Sequence, residues 1–259
     1  MTGAKPVFTG VGAALVTLFD DYGDVDVTAT ARLAARLVEL GVRAVVVAGT
    51  TGEADALDDA ERLRLFEAVR AAVPASAPAV VVAGTGAPST RQARALTSAA
   101  VTCGVDAVIA RSPRGVADPT GYYAGVADAA GGVPVLAYHY PAVAPPGIPL
   151  EVLPALPVQG CKDSSADPDR LLATLASWPG PLYVGSSALL LQAGALGAAG
   201  AILALANAEP EQCAAAFAGD AAAQRALAPA HLAAATGFPR GVKNLVAARF
   251  GVSAAVRMG

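Results

Sequence analysis

The chain has 259 residues, 54% apolar and 15% charged against roughly 25% charged in an average soluble domain, which excludes a disordered chain. A formal charge of −3 provides no basic face for phosphate backbones, so no nucleic-acid partner is expected. Cys103, Cys161 and Cys213 are odd in number and far apart, which fits neither a disulfide framework nor zinc spacing and points to a reducing, cytoplasmic location.

Near the N-terminus an apolar run follows Lys5, but Asp20 and Asp21 stand where a cleaved signal peptide has small residues, so the run reads as a first strand over 12–19. Further β-rich runs cover 44–50, 79–85, 107–112, 134–140, 158–163, 182–186 and 201–206, making eight. They are nearly continuous apolar stretches, as expected of strands buried on both faces of a parallel sheet. Helical periodicity lies between them: Leu33, Leu37 and Leu40 share a face over 28–40, and Leu63, Phe66 and Val69 over 58–73. Asp58 with Glu61 forms a capping-box pattern, and Ser89 caps the next helix.

Residues 171–208 carry no charge, which raises the question of a membrane span. Pro179, Pro181, Gly185, Gly194, Gly197 and Gly200 break that stretch into short pieces and no basic cluster flanks it, so no membrane span is expected. Eight strand-then-helix units predict an α/β fold, a closed (β/α)8 TIM barrel over residues 1–207. A doubly wound open sheet is the alternative. Residues 208–259 read as a C-terminal helical extension, with helices over 209–218, 221–235 and 241–250.

In such a barrel the chemistry sits where the strands end. Three polar groups fall there: Thr50 with Thr51 after the second strand, Tyr138 near the end of the fifth and Lys162 at the end of the sixth. Period-two alternation gives each strand one face for Thr50, Tyr138 and Lys162, so the three groups meet if those faces point inward. Lys162 is one of three lysines against fifteen arginines. Burial can strip a lysine of its proton and leave a nucleophilic amine for imine formation with a carbonyl, whereas an arginine cannot be relieved that way. Its alternatives are a side chain reaching to water or a pair with Asp163. Tyr138 reads as a general acid/base with Thr50 as relay, or else as a core aromatic and a turn residue before Gly52.

Residues 44–61, AVVVAGTTGEADALDDAE, resemble the signature of the dihydrodipicolinate synthase and N-acetylneuraminate lyase family, pyruvate-dependent class I aldolases on a (β/α)8 barrel. YHYP at 138–141 and GCKDS at 160–164 resemble its other motifs in order, with weaker echoes in LVTLF at 15–19, AGTGAPST at 83–90 and GAILALAN at 200–207. The resemblance implies that Lys162 forms an imine with pyruvate or another 2-oxo acid and that Tyr138 is the general acid/base. It further implies that Thr50 and Thr51 bind the carboxylate, that Thr50 takes part in proton relay and that the carbonyl of Ile202 lines the pocket. No metal or organic cofactor is implied, and the partners implied are an aldehyde and further copies of the chain in a homodimer or homotetramer.

Two departures bear on the substrate. Family members that make dihydrodipicolinate carry an arginine after the tyrosine motif for the semialdehyde carboxylate, where this chain has Val143. The tyrosine pair usual after the fourth strand, whose second member completes a relay across a subunit interface, is replaced by Arg114 and Gly115. Arg111 and Arg114 read as a solvated basic loop or as ligands for an acidic substrate group, His139 as structural and His231 as surface or helix packing. The expected function is a Schiff-base-forming class I aldolase or lyase acting on pyruvate or a 2-oxo acid, of the 2-keto-3-deoxy sugar-acid kind. A divergent 4-hydroxy-tetrahydrodipicolinate synthase is one alternative. A catalytically weakened barrel that binds a 2-oxo acid or a protein partner is the other.

Overall fold

All eight apolar runs become strands in the computed structural model, which describes residues 4–258. They are β1 (Gly10–Ala14), β2 (Ala44–Val47), β3 (Val80–Gly84), β4 (Ala107–Arg111), β5 (Val135–His139), β6 (Gly160–Asp163), β7 (Leu182–Val184) and β8 (Gly200–Leu203). Each pairs in parallel with the next, and β8 pairs with β1, so the sheet has no free edge. The expected TIM barrel is therefore the fold, and the open sheet is excluded.

β1 ends earlier than the expected 12–19. After a last bond from Leu15 N–H to Val46 O the chain leaves the ladder, and side chains take over its backbone groups. Val16 N–H donates to Asn207 Oδ1 at 3.1 Å and Leu18 N–H to Thr30 Oγ at 3.0 Å. An apolar run with such partners stays buried without being a strand, which is why its composition overstated the strand's length.

The outer helices are α1 (Val27–Glu39), α2 (Asp59–Ala72), α3 (Thr90–Thr102), α4 (Thr120–Ala130), α5 (Pro168–Ser177), α6 (Leu190–Ala195) and α7 (Pro210–Phe217). The capping box closes α2: Asp58 Oδ1 accepts from Glu61 N–H at 2.7 Å, and Glu61 Oε2 accepts from Asp58 N–H at 3.0 Å. Ser89 caps α3 as expected. The eight-fold repeat of strand and helix has one exception: no α-helix joins β5 to β6, only a 3₁₀ turn, Leu153–Ala155. Pro141, Pro145, Pro146, Pro149, Pro154 and Pro157 leave that segment too few N–H donors for a helix.

α7 packs on α6 and β1 and so takes the eighth place in the outer ring. Beyond it come α8 (Ala221–Ala226), α9 (Ala228–Ala235) and α10 (Arg240–Phe250). The single helix expected over 221–235 is broken between α8 and α9, because Pro229 stands in the first turn of α9 and supplies no N–H to continue the ladder. α9 and α10 pack together over the 3₁₀ turns after β7 and β8, which brings the C-terminal segment to the mouth of the barrel. Among the described residues no helix is long and apolar enough to cross a membrane.

Candidate active site

The sheet register lines up the polar groups at the mouth. Arg111 on β4 is the partner of Tyr138 on β5, and Tyr138 is the partner of Lys162 on β6, so neighbouring strands present the three side chains to the same face. Below them Val46, Val82, Ile109, Leu136 and Ile202 fill the barrel interior. Lys162 thus stands on an apolar floor, and its side chain is buried. Its Nζ lies 4.3 Å from the centre of the Tyr138 ring. Burial pushes its pKa from the ordinary 10.5 down to about 7. The alternative pair with Asp163 is not made: that carboxylate lies on the other face of β6 and binds Arg170 Nε at 2.8 Å.

Thr50 and Thr51 reach the same cavity because β2 ends in a tight turn. Ala48 takes a left-handed backbone (φ 51°), and Glu53 N–H donates to Thr50 O at 3.1 Å. Gly52 is required by close approach, since a Cβ there would lie 2.8 Å from the carbonyl oxygen of Leu15. Thr17 Oγ donates to Gly52 O at 2.7 Å and fixes the turn against the end of the first strand. A cavity of about 320 Å³ opens above Lys162, with Thr50, Thr51 and Tyr138 in its wall. Leu203, Ala204 and Leu205 form the β8 side of that wall, and the Ile202 side chain lies beneath it among the interior residues.

Tyr138 is buried, and burial raises its pKa above the usual phenol value. Hydrogen bonding to the Ser164 and Thr50 hydroxyls and the positive charge of Arg111 pull it partly back. At neutral pH the group is therefore a protonated phenol held between a hydroxyl network and the amine.

Several residues take places that the sequence did not announce. Arg111 is not a solvated loop residue: its Nη1 donates to Thr50 Oγ at 3.2 Å, and its Nη2 meets both Asp55 oxygens at 3.0 and 3.2 Å. Arg114 does remain exposed and donates to Val143 O at 2.7 Å. Val143 lines a separate cleft of about 460 Å³ on the far side of Arg111, together with Arg62 and Ser112. His231 is not a surface residue of the tail: it reaches the cavity from α9, with Nδ1 2.8 Å from Ser187 Oγ. His139 has a structural place, accepting from Ile148 N–H at 2.8 Å while burial lowers its pKa. Among the described residues no group of three or more His, Cys, Asp or Glu side chains is placed to hold a metal ion.

Sequence reasoning also missed Glu53 and Lys243. Both are fully buried, with Nζ and Oε1 2.5 Å apart. Lys243 also donates to Ala255 O at 2.6 Å, and Glu53 Oε2 accepts from the backbone N–H groups of Arg257 and Met258 at 2.8 and 2.7 Å. The last described residues thereby strap the turn that carries Thr50 and Thr51. Lysine scarcity, the argument that singled out Lys162, applies equally to Lys243 and was the available signal.

The profile of the dihydrodipicolinate synthetase family matches residues 7–255. The chain belongs to that family. It is 33% identical over 206 residues to 4-hydroxy-tetrahydrodipicolinate synthase 2 of Halalkalibacterium halodurans, an overlap of 75% of this chain and 69% of that protein. An uncharacterized DapA-like lyase of Halobacterium salinarum is 37% identical over 212 residues, 78% of this chain and 68% of its own. The crystal structure of KD(P)GA from T. tenax superposes with a TM-score of 0.86 at 27% identity, covering 97% of this chain and 92% of the other. Membership in the dihydrodipicolinate synthetase family makes the chain a carbon–carbon lyase of the pyruvate-dependent class I aldolase kind. Within that class, the hydroxyl-lined cavity and the buried amine are what this chain supplies for chemistry.

Proposed function

We propose that this enzyme makes or cleaves a 2-keto-3-deoxy sugar acid, with pyruvate held as an imine on Lys162. The observation that carries the reading is an amine buried on an apolar floor, in register with a phenol and, among the described residues, free of any carboxylate partner. At pH 7 such an amine is about half neutral, against about one part in 2,500 for an exposed lysine. Lys162 Nζ attacks the ketone carbon, and Tyr138 donates a proton to the departing hydroxyl, which leaves as water. In the resulting protonated imine the C=N bond draws electrons from the methyl carbon. Loss of a methyl proton gives the enamine, whose carbon attacks the aldehyde while the aldehyde oxygen takes up a proton. Water then releases the product and restores the amine. Cleavage runs the same steps backward. The Thr51 hydroxyl and the backbone N–H groups of Thr50 and Thr51 hold the carboxylate, which leaves the Thr50 hydroxyl for the proton relay, and Ile202 contributes its carbonyl to the pocket.

The outer half of the cavity favours a hydroxylated aldehyde. Ser164, Ser186, Ser187, Tyr140 and His231 line it, and among the described residues no lysine or arginine other than Lys162 does. Hydroxyls and an imidazole suit a polyol, whereas a carboxylated semialdehyde calls for a cation. The name of the Halalkalibacterium halodurans relative favours a second reading, 4-hydroxy-tetrahydrodipicolinate synthase activity, which Val143 and the hydroxyl-lined outer wall oppose. The reading includes a homodimer or homotetramer, checked by light scattering, and a cytoplasmic setting that suits the free thiols of Cys103, Cys161 and Cys213. It also takes residues 1–207 as the catalytic barrel and 208–259 as the C-terminal extension, in which α7 completes the outer ring and the helices beyond it cover the mouth.

The test is to add pyruvate, reduce with borohydride and weigh the intact protein. A covalent adduct is expected on the native chain and none on Lys162→Ala. No adduct on the native chain would leave a barrel that only binds. Comparable turnover with aspartate semialdehyde and with hydroxylated aldehydes would overturn the substrate assignment.

A further inference from the structure

Arg111 occupies an unusual place for a guanidinium. Three-quarters of its side chain is withdrawn from solvent, and it meets the inward-facing end of the hydroxyl network rather than the bulk. Its Nη2 is pinned by both oxygens of Asp55, which sits in the 3₁₀ turn Ala54–Ala56 directly after the Thr50–Thr51 turn. Its Nη1 is aimed at Thr50 Oγ. A small pocket of about 30 Å³ has Arg111, Thr50, Tyr138 and Lys162 all in its wall, so the four groups share one space.

The chemistry of the guanidinium gives this contact a direction. Arginine has five N–H donors, no acceptor, and keeps its proton under any condition in which the protein is folded. Thr50 Oγ must therefore accept from Arg111. Its single O–H is left to donate elsewhere, and the Tyr138 phenol stands in the wall of the same small pocket. We propose that Arg111, anchored by Asp55, is the fixed end of the chain Arg111–Thr50–Tyr138, a positioning residue that points the Thr50 hydroxyl at the Tyr138 oxygen and completes the site from within one chain. The proposal rests on the imine reading of Lys162.

Two consequences follow. A proton taken up by Tyr138 cannot leave along this chain, because Thr50 can pass it only to a group that cannot accept one. Tyr138 must return it to the substrate or to the cavity. Second, the phenolate is stabilised by a donated hydrogen bond and a positive charge, so loss of Arg111 raises the pH at which Tyr138 ionises. The other groups near Tyr138 are Lys162 from β6, Ser164 just after it and Tyr140 from its own strand, whose ring lies 5.8 Å away, while Asp163 on the opposite face of β6 acts on it only through its charge. Tyr123 of α4 accepts from its backbone N–H at 3.2 Å. None of these changes when Arg111 is replaced.

The exchange of pyruvate methyl hydrogens for solvent deuterium reads this step. A proton passes from the methyl carbon of the imine to the tyrosine oxygen, the C–H pair becomes the enamine double bond, the C=N pair moves to nitrogen, and a deuteron returns. Native protein, Arg111→Met, Arg111→Lys, Asp55→Asn, Thr50→Val and the Arg111→Met/Thr50→Val double variant are followed by NMR from pH 6 to as alkaline a pH as the fold withstands, beyond the ordinary phenol range of about 10, with borohydride trapping in parallel. Arg111→Met is expected to trap pyruvate yet exchange about tenfold to a hundredfold more slowly at pH 7, with its alkaline limb about one unit higher. Arg111→Lys should recover part of the loss, and Asp55→Asn should move the limb in the same direction by less. The double variant should be no slower than Thr50→Val, because both lie on one path.

Intact trapping with an unshifted pH profile in Arg111→Met and Asp55→Asn would overturn the proposal, as would losses that multiply in the double variant. Failure of the native chain to trap pyruvate would instead overturn the reading of Lys162, and this proposal with it.

Discussion

Lys162 and Lys243 are both withdrawn from water, 6% and 0% exposed, and each amine stands about 4 Å from an aromatic ring centre, Tyr138 for one and Phe19 for the other. Burial lowers both pKa values. What separates them is the partner. Glu53 meets Lys243 at 2.5 Å and pulls its pKa back up, and the Ala255 carbonyl takes a further N–H. Lys162 has no carboxylate partner among the described residues, because Asp163 is turned to the other face of the strand and engaged by Arg170. A buried lysine is thus structural or reactive according to whether a negative charge is buried with it.

Replacing each lysine in turn should separate the two roles. The largest expected effect is on Lys162→Ala, which should lose about 10⁴-fold or more in turnover while the circular dichroism spectrum stays native. Unfolding at a lower temperature together with lost activity would give Lys162 the structural role instead. Next, Lys243→Met should cost about 3–5 kcal/mol in denaturant unfolding, because it leaves the Glu53 carboxylate buried without its partner. A loss below about 1 kcal/mol would mean that the ion pair is not what secures the C-terminal strap.

Lys162→Met should act with the opposite sign. The folded pKa of about 7 lies below the ordinary 10.5, so between those values the unfolded chain binds the extra proton and stability rises with pH. Below about pH 7 both states are protonated and the folded state bears the whole cost of the buried charge. Lys162→Met should therefore be more stable than the native chain by up to about 4 kcal/mol at pH 6, with the gap closing toward pH 10. A gap that is constant with pH would show that packing, not charge, sets it. The smallest effect belongs to Arg257→Ala, which removes the bidentate pair with Glu61 at the end of the strap. A loss of about 1 kcal/mol is expected, with pyruvate trapping at Lys162 unchanged, since the strap holds Lys243 and not the reactive amine.

The barrel could be read from sequence because a parallel sheet buried on both faces leaves eight apolar runs, and because caps such as Asp58 with Glu61 are local. Lys162, Tyr138 and Thr50 were accessible for a related reason: strand alternation and the barrel rule put them on one mouth. The missing helix between β5 and β6 is written in its prolines, once they are counted as lost donors rather than as loop punctuation. The contacts of Arg111 and His231 and the pairing of Lys243 with Glu53 were out of reach, though scarcity alone could have marked Lys243. Each takes its role from a segment far away in the chain, Arg111 from Asp55 and Glu53 from a tail about 200 residues later, and no local pattern encodes such a meeting.

The chain's three lysines make the central claim directly measurable. Labelling lysine with ¹³C at Cε gives one signal for each, and Lys162→Ala identifies the one that matters. Followed by NMR against pH, that signal should titrate at about 7 in the native chain, and the rate of imine formation with pyruvate should rise with pH through the same value and then level. A titration near the ordinary 10.5, with imine formation still rising at that pH, would contradict the account.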